Sequence, residues 1–149
     1  MQTRFQFRNV SFLFFSGISL LFLSCKKETT ELEKNIEKWH SFKICNYTIT
    51  RAISCYCLDK YTIPKSFKIE NCVVTHIDNE PYQDNQLALN KTIDEMFEFI
   101  NELHTKNTHI LEVTYDEKYG FPTYLYVDYD KMIADDETSY SFSKFTPTE

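Results

Sequence analysis

The chain has 149 residues, is 42% hydrophobic and 26% charged, and carries a formal net charge of −6 at pH 7. An acidic chain without a basic run is a poor binder of nucleic acid or of anionic headgroups, so no nucleic-acid partner is expected. With two glycines, Gly17 and Gly120, it cannot build the phosphate-cradling loops of nucleotide enzymes or a Gly-x-Ser-x-Gly nucleophile elbow.

The first stretch reads as an address. Arg4 and Arg8 form a basic segment, and Val10 to Leu23 is an uncharged apolar run. That run is too short to span a bilayer comfortably and suits a signal peptide. It ends in Leu21-Phe22-Leu23-Ser24-Cys25, with Lys26-Lys27-Glu28 directly after it. A small residue followed by cysteine at this place resembles the lipobox of bacterial lipoproteins, although Phe22 stands where leucine is more usual. The resemblance implies a lipoprotein signal peptide over 1–24, lipidation of Cys25, and a polar tether over 25–30. The partner implied is a membrane, held through the lipid rather than crossed by the chain. Lys26, in place of aspartate, implies the outer membrane of a bacterial cell envelope. The remainder, 31–146, suits a single domain.

Thr30-Glu31-Leu32-Glu33 is a capping box, and Leu32, Ile36 and Trp39 follow at helical spacing, predicting a helix over 31–41. Trp39 is expected to anchor the core. Tyr47 to Leu58 alternates as a strand, with Tyr47, Ile49, Ile53, Cys55 and Cys57 inward. Arg51 interrupts that face and requires a partner or an edge position. Strands follow at Phe67 to Asn71 and Val73 to Ile77, with a turn at Asn71-Cys72. Asp78 to Asn90 is polar, contains Pro81 and reads as loop. A second capping box, Thr92 to Glu95, opens the clearest helix, 93–104, with Ile93, Met96, Phe97, Ile100 and Leu103 on one face. A hairpin over 109–116 and 123–129 turns at Gly120, a position that calls for a positive φ or a backbone approach a Cβ would block. Its Leu125 and Val127 are expected against the second helix, at the centre of the sheet. An acidic segment, Asp135-Asp136-Glu137, precedes a weak strand near Tyr140 to Phe145. The order α-β-β-β-α-β-β-β predicts an α+β domain: an antiparallel sheet of five to six strands with helices on one face.

Four cysteines remain after Cys25: Cys45, Cys55, Cys57 and Cys72. In an exported chain an even number suggests disulfides. On a regular strand Cys55 and Cys57 lie about 7 Å apart, so each is expected to pair elsewhere, one with Cys72 and the other with Cys45. A redox centre at Cys55-x-Cys57 is the alternative; it lacks the helix N-terminus and the Cys-x-x-Cys spacing that lower a thiol pKa. His104 and His109 straddle a helix end, and the Asp128 to Glu137 acidic run lacks the glycine and terminal glutamate of a calcium loop, so no metal or other cofactor is expected. Tyr124 and Tyr126 share the face opposite Leu125 and Val127, with Tyr115, Tyr119 and Phe121 nearby, which offers a tyrosine-rich binding surface.

A helix ending in Trp39, a strand leading to Cys55-x-Cys57, a hairpin and a Thr-initiated helix lead into Val113-Thr114-Tyr115-Asp116, Gly120-Phe121-Pro122-Thr123 and Asp128. This pattern resembles a family of bacterial lipoprotein-like domains known as domain of unknown function 6174, over roughly 36–145. Phe121 departs from the family's usual tyrosine, and Cys45 and Cys72 lie outside its motif. The family has no established activity, so the resemblance implies a fold and an address. Together these readings point to a non-catalytic binding or accessory module of the envelope, whose partner is a protein or peptide. Tyr115, Asp116, Gly120, Pro122, Thr123, Tyr124 and Tyr126 form its candidate binding or structural corner.

Overall fold

The computed structural model describes residues 29–83 and 90–148. The signal segment and Cys25 lie outside the described residues. Helix α1 runs Glu31–Ser41. Its capping box closes both ways: the Thr30 hydroxyl accepts from the Glu33 amide at 3.1 Å, and the Glu33 carboxylate accepts from the Thr30 amide at 2.8 Å. Helix α3, Ile93–Lys106, begins with the same device at Thr92 and Glu95 and ends on Asn107 in the left-handed region. A four-residue helix, α2 (Asp59–Thr62), is an addition to the predicted elements.

Seven antiparallel strands make one sheet, against the five to six expected: β1 Tyr47–Cys55, β2 Lys65–Glu70, β3 Val73–Ile77, β4 Glu80–Pro81, β5 Ile110–Tyr115, β6 Pro122–Asp128 and β7 Thr138–Pro147. Their order is β4-β3-β2-β1-β7-β6-β5. The strand beyond the predicted five to six is β4, two residues pairing His76 with Pro81 and Ile77 with Glu80. It lies in the stretch expected to be loop; Pro81 is tolerated because β4 is an edge strand.

The 109–129 hairpin is not the centre of the sheet. Strand β5 is an edge, and β1 and β7 hold the middle. Strand β7 is longer than the weak 140–145 signal because its alternation slips at Lys144. Thr50 pairs with Ser143 but Thr48 pairs with Thr146, and Lys144 takes φ 52°. That bulge returns Phe145 to the inner face alongside Tyr140 and Phe142.

Both long helices contribute to one core with the inner face of the sheet. Leu32 and Trp39 come from α1, and Ile93, Met96, Phe97, Ile100 and Leu103 from α3. Tyr47, Ile49, Phe67, Ile69, Leu125 and Val127 come from the strands. Trp39 is 2% exposed and meets Tyr47, Phe121 and Phe145 edge-on at 5.7, 6.3 and 5.8 Å, as expected of a core anchor. Tyr47 also serves the helix: its buried hydroxyl oxygen accepts the Ile93 amide at 2.9 Å, satisfying a free N–H at the start of α3.

Arg51 has neither an edge position nor a full set of partners. It is 4% exposed on central β1, with its guanidinium 4.3 Å over the Phe67 ring and Nη2 donating to Asn90 Oδ1 at 3.3 Å. Its Nη1 has no hydrogen-bond partner among the described residues. Burial lowers its pKa to about 10.

Candidate functional site

Gly120 satisfies both conditions set for it. Its φ is +83°, and a Cβ there would lie 2.7 Å from the Asn35 carbonyl oxygen and 3.1 Å from Lys38 Cβ on α1. The Asp116 carboxylate organises the corner by accepting the Lys118 and Tyr119 amides at 3.0 and 2.6 Å. The Asp116 backbone closes it, donating to the Phe121 carbonyl at 2.8 Å and accepting from the Gly120 amide at 2.9 Å. Lys38 Nζ adds a bond to the Glu117 carbonyl at 3.2 Å. Pro122 is fully buried. Tyr115, Tyr119 and Phe121 point to the helix side rather than joining Tyr124 and Tyr126. Tyr115 stacks on Phe97 at 6.4 Å, Tyr119 packs on Phe42 and Phe145, and Phe121 is core. Partial burial pushes the Tyr115 hydroxyl pKa up to about 12, with the Glu31 charge adding to it. The corner is therefore a structural joint between the hairpin and α1.

The opposite face of the sheet is built from small hydroxyl side chains and two tyrosines. Register aligns Thr114, Tyr124, Ser141 and Ala52 in one row and Glu112, Tyr126, Ser139 and Ser54 in the next. Thr50, between Ser143 and Ser66, extends this field toward β2. Thr123 is the extra residue of a bulge and shares a 2.9 Å bond with the Thr114 hydroxyl. The tyrosines are the part of this face read directly from sequence. The serines of β7 were visible as the residues alternating with Tyr140 and Phe142, but only strand order places them beside Tyr124 and Tyr126. Tyr126 borders a recess of about 150 Å³ with Ser54, Cys55, Tyr56, Glu137 and Ser139. Desolvation raises its hydroxyl pKa, and Asp128 and Glu137 act in the same direction.

The disulfide map corrects the expected one. Cys45 joins Cys72, and Cys55 joins Cys57. The premise of a regular strand through Leu58 fails, because β1 stops at Cys55. The Cys57 amide then bonds back to the Cys55 carbonyl at 2.9 Å, and the two Cα atoms come to 5.3 Å. Tyr56 projects from the tip of this turn and is 85% exposed. At the other end, left-handed Asn71 and Cys72 form the β2–β3 turn, and the Cys72 amide bonds to the Cys45 carbonyl at 2.9 Å. Cys72 is thus placed beside Cys45 by the turn itself.

The model of a "Family of unknown function (DUF6174)" matches residues 31–147, nearly the whole described chain. The chain belongs to the DUF6174 family. No curated protein and no solved structure matches it. The matched range includes the corner residues Asp116, Gly120, Phe121 and Pro122, which close the turn against α1. The Phe121 ring meets Trp39 and Phe145 at 6.3 and 4.6 Å.

Other chemistry-bearing residues are dispersed or already engaged. Among the described residues, no group of three or more His, Cys, Asp or Glu side chains is placed to hold a metal ion. His109 sits 4.0 Å from Asp128, while His40 pairs with Asp94 at 2.8 Å across the α1–α3 junction. In the acidic β6–β7 loop, carboxylates bind the loop's own backbone: Asp136 accepts from the Asp130 amide and Asp130 from the Met132 amide, at 3.0 and 2.9 Å. A larger groove of about 420 Å³ runs past His40, Cys45, Cys72 and Asp94. The amides of Ile93 and Glu95 beside it are bound to Tyr47 and Thr92, so they are not available to an anion.

Proposed function

We propose that this DUF6174 protein is a lipid-anchored component of the bacterial cell envelope that binds an envelope protein or peptide and carries out no catalysis of its own. In this reading Cys25 bears the lipid, residues 25–30 tether the domain at the outer membrane, and the sheet face opposite α1 and α3 receives the partner. The observation that carries the binding role is the one-sided sheet. Helices cover one face, while Tyr124 and Tyr126 stand over serine and threonine hydroxyls on the other. Tyrosine supplies contact area at low entropic cost and serines allow close approach, the combination common at protein interfaces. The test is crosslinking in intact envelopes followed by affinity capture of wild type and of the Tyr124→Ala, Tyr126→Ala double variant. A reproducible partner lost from the variant supports the reading; a partner retained in full removes that face from it.

A second reading is thiol–disulfide exchange, favoured by one observation: Cys55 and Cys57 are bonded to each other, with Cys57 exposed near the recess that holds Tyr126. A substrate dithiol would lose two electrons and two protons to this disulfide, leaving Cys55 and Cys57 as thiols and the substrate as a disulfide. The neighbouring Glu137 carboxylate works against it, since a negative charge disfavours the thiolate. Reduction of a model disulfide by the prereduced protein, compared with a Cys57→Ser variant, separates the two readings.

A further inference from the structure

Apolar exposure in this molecule is concentrated at one end. Ten large hydrophobic side chains are exposed among the described residues, and seven lie where β1, β3 and β6 finish and β5 begins. Tyr56, Leu58 and Ile63 come from the β1–β2 connection, with 85, 64 and 60% exposure. Tyr129, Met132 and Ile133 come from the β6–β7 connection, Met132 at 88%. The pairing of Thr138 with both Cys55 and Val127 sets these two loops side by side. The Cys55–Cys57 bond and the Asp130 turn hold them in shape.

The direction of α1 says what lies beyond this end. Its C-terminal Trp39 packs on Tyr47 and Phe121, at the far end of the sheet. Its start, Thr30 to Leu32, lines one groove with His104 of the last turn of α3 and with β5 from Leu111 to Tyr115. The start of α1 therefore lies toward the end of the domain that bears the apolar loops. Cys25 is five residues before Thr30 and can stand no more than about 18 Å from it. Three strand spacings, about 14 Å, separate β5 from β1.

We infer that the loops at 56–63 and 129–133 are a second membrane contact, seated in the leaflet that holds the lipid of Cys25. The inference rests on the anchor proposed above. Its consequence is orientation: the domain stands on this end, and the tyrosine–serine face is held edge-on to the membrane, open to a partner from the side. The flanking charges, Lys60, Lys65 and Lys131 against Asp59, Asp130, Asp135, Asp136 and Glu137, are net negative. The surface that fits is thus a leaflet of uncharged or zwitterionic headgroups, entered by apolar side chains rather than drawn in by charge.

Buried Trp39 leaves tryptophan free as a reporter. Full-length protein, processed in cells and reconstituted into phosphatidylcholine vesicles with dibrominated acyl chains, is compared for Leu58→Trp, Met132→Trp and, at the opposite end, Val73→Trp. Circular dichroism selects variants that keep the fold. The added fluorophore at 58 and at 132 is expected to shift to the blue and lose about half its emission, as burial at the acyl boundary requires, with Val73→Trp unchanged. Quenching at none of the three, or equally at all three, overturns the inference, and the former is also the outcome if a second copy or a protein covers the patch. Fatty-acid labelling of wild type and Cys25→Ala tests the anchor separately. Should no label be incorporated, the same variants are titrated with the brominated vesicles added in excess. Quenching confined to 58 and 132 then supports the loop contact without the anchor, and no quenching overturns both.

Discussion

Gly120 carries two separate restrictions, and substitutions can pull them apart. Alanine there meets a left-handed φ and the Asn35 carbonyl together. Gly120→Ala is expected to cost about 2–4 kcal/mol in urea denaturation, from strain plus overpacking. Gly120→Asn relieves much of the first restriction but keeps the Cβ, so it should also destabilise, by less. The remaining left-handed turns are made without glycine, chiefly by Asn71, Asp78, Asn79, Asn107 and Asp135, residue types that tolerate that region. Arg51 presents the opposite case, a residue whose charge is expected to add little to stability. Its charge is buried with one nitrogen unpartnered among the described residues, and its lowered pKa follows chiefly from desolvation. Arg51→Met keeps the length of the side chain over Phe67 and removes the charge, so its stability in the same assay should match the parent within about 1 kcal/mol or exceed it.

The two disulfides should differ in what they contribute to their elements. Cys45–Cys72 spans 27 residues and ties the start of β1 to the β2–β3 turn. In the chain-entropy account such a loop is worth about 3–4 kcal/mol, against about 1–2 for the three-residue ring of Cys55 and Cys57. The Cys45→Ser, Cys72→Ser variant should therefore lose at least twice the stability of the Cys55→Ser, Cys57→Ser variant by denaturant titration. Helices α1 and α3 could be read nearly to the residue, because capping boxes and apolar spacing are local. The Val73–Ile77 strand could be read for the same reason, since a turn signal bounds it. The disulfide pairs could not: they depend on where β1 ends, and Tyr47 to Leu58 keeps alternating past the Cys55–Cys57 turn. Strand β7 was underestimated because Lys144 breaks the alternation that its neighbours sustain. The centrality expected of the hairpin failed because partner choice between strands is a long-range property, and a glycine corner carries no information about it. For the candidate site, the tyrosines of β6 were legible, but the serines they stand beside belong to a strand distant in sequence.

At the scale of the whole molecule, the core is rich in tyrosines whose ionisation folding suppresses. Burial raises the pKa of Tyr140 and Tyr115 to about 12 and that of Tyr47 further still. The unfolded chain ionises these groups near pH 10, so their contribution is complete below pH 10 and is lost as pH climbs through 10–12. Arg51 acts the other way over the same range, because burial lets the folded guanidinium release its proton near pH 10 and the unfolded one holds it to well higher pH. Three tyrosines outweigh one arginine, and a cooperative alkaline transition above pH 10 is expected. It should appear together in circular dichroism and in phenolate absorbance, and it should steepen in Arg51→Met. The sheet order has a bearing on how the chain reaches this state at all. Strands β1 to β4 pair among themselves, and β5 pairs with β6, but only β7 joins the two groups. Residues 138–147 therefore act as a keystone delivered late. A chain emerging N-terminus first has two half-sheets whose facing edges stay unpaired until β7 arrives. Such a chain is expected to complete its sheet only after residues 138–147 have been made, because this long-range pairing cannot form earlier.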